Sequence, residues 1–220
     1  KPERIVELAK SYDCKSISNT YTEPTVVYEY LIETSKIANE NGIKNVWVTN
    51  GFINPKPLKE ALPFIDAMNI DLKGFSEELY QNICGGRLRP VLETIKTAYK
   101  MTHIEITNLL VPTLNDSDED VEKLVDFIFD LSDEIPLHFS AYRPMYKMEI
   151  EPTPVDTLYR AKKIAENKLK YVYLGNIPSN NDTFCPNCKN TVIKRNYVLK
   201  INLINDKCPI CGTKIPLKIN

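Results

Sequence analysis

The stretch "MNIDLK", Met68 to Lys73, decides how this chain folds. Successive residues of a strand point to opposite sides. Met68, Ile70 and Leu72 therefore share one face, and Asn69, Asp71 and Lys73 share the other. Three further runs divide the same way. "HIEITN" sets Ile104 and Ile106 against His103, Glu105 and Thr107. "LHFSAY" sets Leu137, Phe139 and Ala141 against His138, Ser140 and Tyr142. "SISNT" sets Ile17 against Ser16, Ser18 and Thr20. A parallel sheet covered on both faces reads as nearly unbroken Val, Ile and Leu. These strands instead have one face fit for covering helices and one polar face.

Around these runs the chain alternates short apolar segments with longer helical ones. The pattern predicts strands over 15–19, 44–49, 67–72, 103–111, 136–142 and 171–174. Helices are expected near 2–12, 25–41, 55–62, 76–83, 88–101, 117–132 and 154–169. Strands alternating with amphipathic helices imply a parallel sheet built by crossovers. Gly42 is placed to end the second helix, and Asp116 or Ser117 to open "DSDEDVEKL". The expected fold is α/β: a partial, open parallel β/α barrel with a polar interior. An antiparallel sheet with one solvated face is the alternative. In the barrel, Glu23, Asn50, Lys73 and Arg143 fall at C-terminal strand ends, the rim where ligands of such folds bind.

The chain has 220 residues, and its 28 Lys and Arg nearly cancel its 29 Asp and Glu. That balance gives no reason to expect nucleic-acid or anionic-membrane binding. No apolar run approaches the ~20 residues of a membrane span, and no signal peptide is evident, so a cytoplasmic location is expected. The chain opens on Lys1 inside a helical pattern and reads as a piece of something longer.

Composition changes near Pro178–Asp182, where a domain boundary is expected: 1–178 for the barrel and 179–220 for a small module. Cys185 and Cys188 form "CPNC", Cys208 and Cys211 form "CPICG", and nineteen residues separate the pairs. Two Cys-x2-Cys knuckles at this distance match a zinc ribbon, with four thiolates closing a tetrahedral site. Disulfides and a four-thiolate iron site are the alternatives. "TVIKRNYVLKINLI" between the pairs reads as a β-hairpin with too few large apolar residues to fold without the metal.

Four motifs in chain order carry a resemblance. "YTEP" (Tyr21–Pro24) sits where radical SAM enzymes carry a Gly-Gly-Glu-Pro turn. "VTNG" (Val48–Gly51) and "NIDLKG" (Asn69–Gly74) are similar to strand ends of glycyl-radical activating enzymes. "LLVPTLND" (Leu109–Asp116) resembles their Pro- and Asn-containing turn. With "PLHFSAYRPMYKM" and the terminal cysteines, the chain most resembles the AmmeMemoRadiSam-system radical SAM enzymes, relatives of pyruvate formate-lyase activating enzyme. The resemblance implies reductive cleavage of S-adenosylmethionine (SAM) at a [4Fe–4S] cluster, giving a 5′-deoxyadenosyl radical. It implies an electron donor and a substrate, small molecule or protein, that the sequence does not name. Tyr21, Thr22 and Glu23 would meet the ammonium of SAM, and Lys73 its carboxylate. Asp71 would pair with Lys73 or hold a cation, and Asn50 and Arg143 would complete the cofactor site. An internal charge network of Glu23, Asp71 and Lys73 with no ligand is the alternative.

The sequence departs from that pattern in four places. Val48 stands where the family often has an acid before Thr-Asn-Gly, which counts against a cation at Asp71. The family's Cys-x3-Cys-x2-Cys is missing from these 220 residues, so its cluster ligands are expected upstream and this chain alone is expected to be inactive. Tyr21 and Thr22 stand where the family has glycines. Arg143 takes the place of an adenine-contacting His. Trp47 is expected in the core, His103 and His138 as hydrogen-bonded barrel residues, and Cys84 as an inert buried thiol. Gly85 and Gly86, with Arg87 and Arg89, form either an anion-accepting turn or a solvated helix start. The rival to an enzyme is a non-catalytic barrel whose ribbon docks partner proteins.

Overall fold

The computed structural model describes residues 1–195 and 198–216. Six strands, β1 (Ser16–Asn19), β2 (Lys44–Thr49), β3 (Ala67–Asp71), β4 (His103–Leu110), β5 (Leu137–Ala141) and β6 (Val172–Gly175), form one sheet. They pair in chain order and all in parallel, so β1 and β6 are unpaired edges and the sheet is open. Right-handed crossovers that always step in one direction put every connecting helix on one face. These helices are α2 (Tyr28–Glu40), α3 (Pro55–Ala61), α4 (Glu77–Asn82), α5 (Leu88–Tyr99), α6 (Asp118–Leu131) and α7 (Val155–Glu166). The first helix, α1 (Pro2–Ser11), packs with α2 around Val6, Ala9, Ala38 and Ile43.

The alternation in the sequence becomes the two faces of this sheet. Ile70, Ile106, Leu137 and Phe139 are fully buried against helix residues such as Ile95, Ile128 and Leu158, and Trp47 joins the same core. The opposite faces of β3, β4 and β5 read as half-buried at Asn69, Asp71, Glu105, Thr107, His138 and Ser140. Parallel pairing disposes of the antiparallel alternative.

One helix starts later than its apolar pattern suggests. Over 25–41 the chain first makes a 3₁₀ turn, Pro24–Val27, and α2 begins only at Tyr28. The consecutive β-branched residues Thr25, Val26 and Val27 disfavour the α-conformation, and the Glu23 carboxylate accepts the Thr25 amide. Gly42, at φ 71°, follows the end of α2 as expected, and Ser117 caps α6.

The cysteine-rich segment forms a separate antiparallel sheet of β7 (Thr183–Phe184), β8 (Thr191–Arg195) and β9 (Leu199–Ile201). The expected hairpin is thus β8–β9, although its residues Asn196 and Tyr197 lie outside the described residues. A small core of Cys185, Val192, Ile193, Cys208 and Ile215 packs against Tyr171 at the start of β6. No helix among the described residues is long and apolar enough to cross a membrane.

Candidate functional site

At the C-terminal rim, Glu23 follows β1 and reaches across to the end of β2. Its Oε1 accepts from the Thr49 hydroxyl at 2.7 Å and the Thr25 hydroxyl at 3.2 Å. Its Oε2 accepts from the Asn50 amide at 2.8 Å. The "TEP" and "TNG" motifs are therefore one clasp, in which Oε1 is saturated and Oε2 retains acceptor capacity. Asn50 folds back on itself, its Oδ1 accepting the Phe52 amide at 2.8 Å. Gly51 is needed here. At φ 71°, an added Cβ would lie 2.8 Å from Ile70 Cγ2 and 3.2 Å from Val91 Cγ1.

Tyr21 resolves the missing-glycine departure in part. It adopts φ 64°, a left-handed angle that glycine takes freely, and its ring stands fully in solvent. Thr22 is exposed beside it. The backbone shape of a glycine turn is kept with a side chain turned outward.

Two strands along, Lys73 Nζ donates to Asp71 Oδ2 at 2.6 Å. The Lys73 amide donates to the Tyr80 hydroxyl, and its carbonyl accepts from Asn115 Nδ2 at 2.6 Å. Burial pushes the Tyr80 hydroxyl up, against the opposing bond from the Lys73 amide, so it stays protonated. Asn115 also donates to the Leu109 carbonyl and accepts from the Val111 amide. This residue of "LLVPTLND" thus ties the ends of β3 and β4 together. The charge network is only partial: Lys73 pairs with Asp71, while Glu23 is bound to β2.

Lys73, Asn115, Tyr142, Arg143 and Asn176 line a cavity of about 680 Å³, with apolar walls that include Met145 and Met148. That volume suits a cofactor-sized ligand. Arg143 is exposed, and its Nη2 lies 3.5 Å from the Asn176 carbonyl. Cys84 departs from expectation: it is exposed and lines this cavity, because the chain turns outward through Gly85 at φ 65°. The helix start beyond it already holds an anion, since the Leu88 amide donates to Glu77 Oε2 at 3.0 Å.

His103 and His138 are hydrogen-bonded inside the barrel, both to Glu105, at 3.5 Å and 2.7 Å. Burial raises the Glu105 carboxyl, but these imidazole bonds outweigh it and hold the group well below the usual carboxylate range. The polar faces do not line a single cavity. Glu105 borders a second one at the opposite end of the strands, and Ser18 is exposed on the edge strand.

Cys185, Cys188, Cys208 and Cys211 converge with all four sulfurs within 4.8 Å of one another. Cys185 Sγ lies 3.5 Å from Cys211 Sγ, and Cys188 Sγ 3.6 Å from Cys208 Sγ. A tetrahedral zinc–thiolate site with bonds of about 2.3 Å has sulfurs about 3.8 Å apart, so the donor set fits. All four are free cysteines. The two knuckles are built alike. Lys189 donates to the Cys185 carbonyl and Gly212 to the Cys208 carbonyl, with φ of 60° and 72°. Cys185 and Cys208 donate in turn to the Asn190 and Thr213 carbonyls. The Thr213 hydroxyl and amide pull the Cys211 thiol down to about 5. An Asn190 amide favours the Cys188 thiolate, but loss of water and the three neighbouring sulfurs push that thiol up to about 12. Without a cation these sulfurs cannot all ionise together.

The rim motifs agree with a family profile: the Radical SAM superfamily matches residues 1–128. The chain belongs to the radical SAM superfamily. It is 48% identical over 227 residues to an uncharacterized protein of Methanocaldococcus jannaschii, covering 98% of this chain and 67% of that protein. It is 26% identical over 153 residues to the pyruvate formate-lyase 1-activating enzyme of Escherichia coli (strain K12), covering 63% of this chain and 62% of the enzyme. The radical SAM chain thus spans about two thirds of the length of these relatives. A domain of a pyruvate-formate lyase-activating enzyme from Bacteroides vulgatus ATCC 8482 shares the fold, with TM-score 0.63 and 16% identity, over 73% of this chain and 98% of that one. Membership in the superfamily implies SAM and a [4Fe–4S] cluster. Of the rim residues, Lys73 and Arg143 line the cofactor-sized cavity, whereas Tyr21, Thr22, Glu23, Asn50 and Asp71 are not among its lining residues. The cluster is not matched by this chain: among the described residues, the four ribbon cysteines are the one His/Cys/Asp/Glu group placed to hold a metal ion.

Proposed function

We propose that this chain is the SAM-binding core of a radical SAM enzyme of the AmmeMemoRadiSam-system type. The observation that carries the reading is the Glu23 clasp, a carboxylate fixed at the rim by Thr49 and Asn50 with acceptor capacity left on Oε2. A preorganised carboxylate is a natural partner for an ammonium ion. In this reading Glu23 and the backbone of Tyr21 and Thr22 hold the SAM ammonium. Lys73, at the end of the next strand and about one strand spacing or ~5 Å along the rim from the clasped carboxylate, holds the SAM carboxylate. Asp71 orients Lys73 through their ion pair. Asn50 fixes the clasp, and Arg143 covers the purine from the far side of the cavity. A [4Fe–4S] cluster, which these residues do not hold, would supply the electron for SAM cleavage. Residues 1–178 form the SAM core and 179–220 a zinc ribbon held by Cys185, Cys188, Cys208 and Cys211. The substrate is a small molecule or a protein that accepts hydrogen abstraction.

The test is SAM binding by calorimetry on the longer parent protein with its cluster reconstituted, with iron content measured in parallel. In Glu23→Gln one amide must face either the fixed Asn50 N–H or the Thr25 N–H and Thr49 hydroxyl, so the clasp loses a contact as well as its charge. The expected result is a ten- to hundredfold loss of affinity, about 1.5–3 kcal/mol, with iron unchanged. Unchanged affinity in both Glu23→Gln and Lys73→Met sinks the SAM assignment and favours the docking barrel.

A further inference from the structure

We propose that the cavity between the polar face of the sheet and the cysteine module binds a small monocarboxylate with a flat apolar body. The site stands at the N-terminal ends of β4, β5 and β6, away from the rim, and the proposal does not rest on the SAM reading. The cavity measures about 260 Å³. That is below the range for drug-sized ligands, so the occupant is about the size of benzoate.

The charge pattern selects an anion. Glu105 is already satisfied by both imidazoles, at 3.5 Å and 2.7 Å. Arg195, at the mouth, pairs with no carboxylate among the described residues. Its bonds leave from Nη1 to two neutral oxygens, the Asn181 carbonyl at 2.9 Å and the Thr183 hydroxyl at 2.6 Å. Its guanidinium stands 5.2 Å from the centre of the Tyr173 ring. The Tyr171 hydroxyl is buried and has no hydrogen-bond partner. The exposed Arg195 guanidinium, with no carboxylate partner among the described residues, stands at the mouth of a cavity whose one lining carboxylate is taken. In the cavity wall the Tyr171 hydroxyl is left unpaired, although buried polar groups are ordinarily paired. Pro136, Ile215 and Pro216 complete apolar walls suited to a hydrocarbon ring.

The chain has two histidines, and both line this cavity. Their Cε1–H resonances therefore report on it without background. Benzoate titrated into the zinc-loaded protein is expected to shift both signals along one saturable curve. Benzamide, of the same shape without the charge, is expected to bind at least tenfold more weakly, and Arg195→Gln to weaken benzoate by tenfold or more. Lys73→Met, at the rim, should leave the benzoate curve unchanged. No saturable shift, or benzamide binding as well as benzoate, overturns the proposal. So does undiminished binding in Arg195→Gln, or loss of binding in Lys73→Met. Zinc content of Arg195→Gln shows whether its module is intact. If it is not, the benzoate–benzamide comparison on the unaltered protein decides.

Discussion

Tyr21 and Gly51 hold left-handed backbone angles of 64° and 71° on either side of the Glu23 clasp. They should respond to substitution in opposite ways. At Tyr21 the ring is in solvent, so nothing but the backbone shape is at stake. Tyr21→Gly removes a left-handed penalty of about 1–2 kcal/mol and adds back about 0.5–1 kcal/mol of unfolded-chain entropy. A net gain of about 0.5–1 kcal/mol in urea unfolding is expected, with SAM affinity intact. A fall in affinity would show that the ring, not the backbone, meets the ligand. Gly51→Ala faces both strain and a Cβ 2.8 Å from Ile70 Cγ2. A loss of about 2–4 kcal/mol is expected. Because Asn50 and Thr49 move with Gly51, SAM affinity should fall with it. Normal stability in this variant would mean that the turn relaxes freely and does not fix Glu23.

Ser117 shows what the sequence does disclose at the level of an element. Its hydroxyl oxygen accepts from the Asp120 amide at 3.1 Å, and Asp118, Glu119 and Asp120 fill the first turn of α6. Ser117→Ala should cost about 1 kcal/mol in denaturant unfolding, and Ser117→Asp should restore most of it. Equal loss in both variants would show that packing, not capping, fixes this end. Such local rules made the strands, the helix ends and the knuckles legible, because each depends on neighbours within a few residues. The late start of α2 escaped because periodicity does not register a run of three β-branched residues against a Glu23 cap. The partners of Glu23 and Lys73 escaped for another reason. Thr49 is 26 residues from Glu23, and Asn115 is 42 from Lys73. Such pairs exist only once parallel register brings strand ends together. Cys84 was misplaced because a short apolar context, "NICGG", does not show which way its glycines turn the chain.

At the scale of the whole molecule, the two cores differ in what holds them. The sheet and its helices share one extensive apolar cluster, whereas the cysteine module has a handful of buried residues, two of them Cys185 and Cys208. Its strands are short, and Val198, Leu199 and Ile204 are exposed. An apolar core that small does not offset the ordering entropy of some thirty residues at about 1–2 kcal/mol each, so the metal must supply the difference. The contacts with the barrel are local, at β6: the Tyr173 and Thr183 hydroxyls at 2.8 Å, the Leu174 amide to Asn181 at 3.0 Å, Asn181 Nδ2 and the Ser179 hydroxyl to the Leu174 carbonyl, Arg195 over the Tyr173 ring, and the contact with Tyr171. Stripping the metal with a chelator should therefore abolish amide-exchange protection over 183–195 and 199–215 and expose four titratable thiols. Helix signal and protection in β2 to β5 should persist. About one zinc per chain should be released, with no loss of the six-stranded sheet. Replacing both Cys208 and Cys211 by Ser should reproduce the same pattern without a chelator. If metal loss instead unfolds the entire chain in one cooperative transition, the module and the sheet are a single folding unit. The division near 178 would then be wrong.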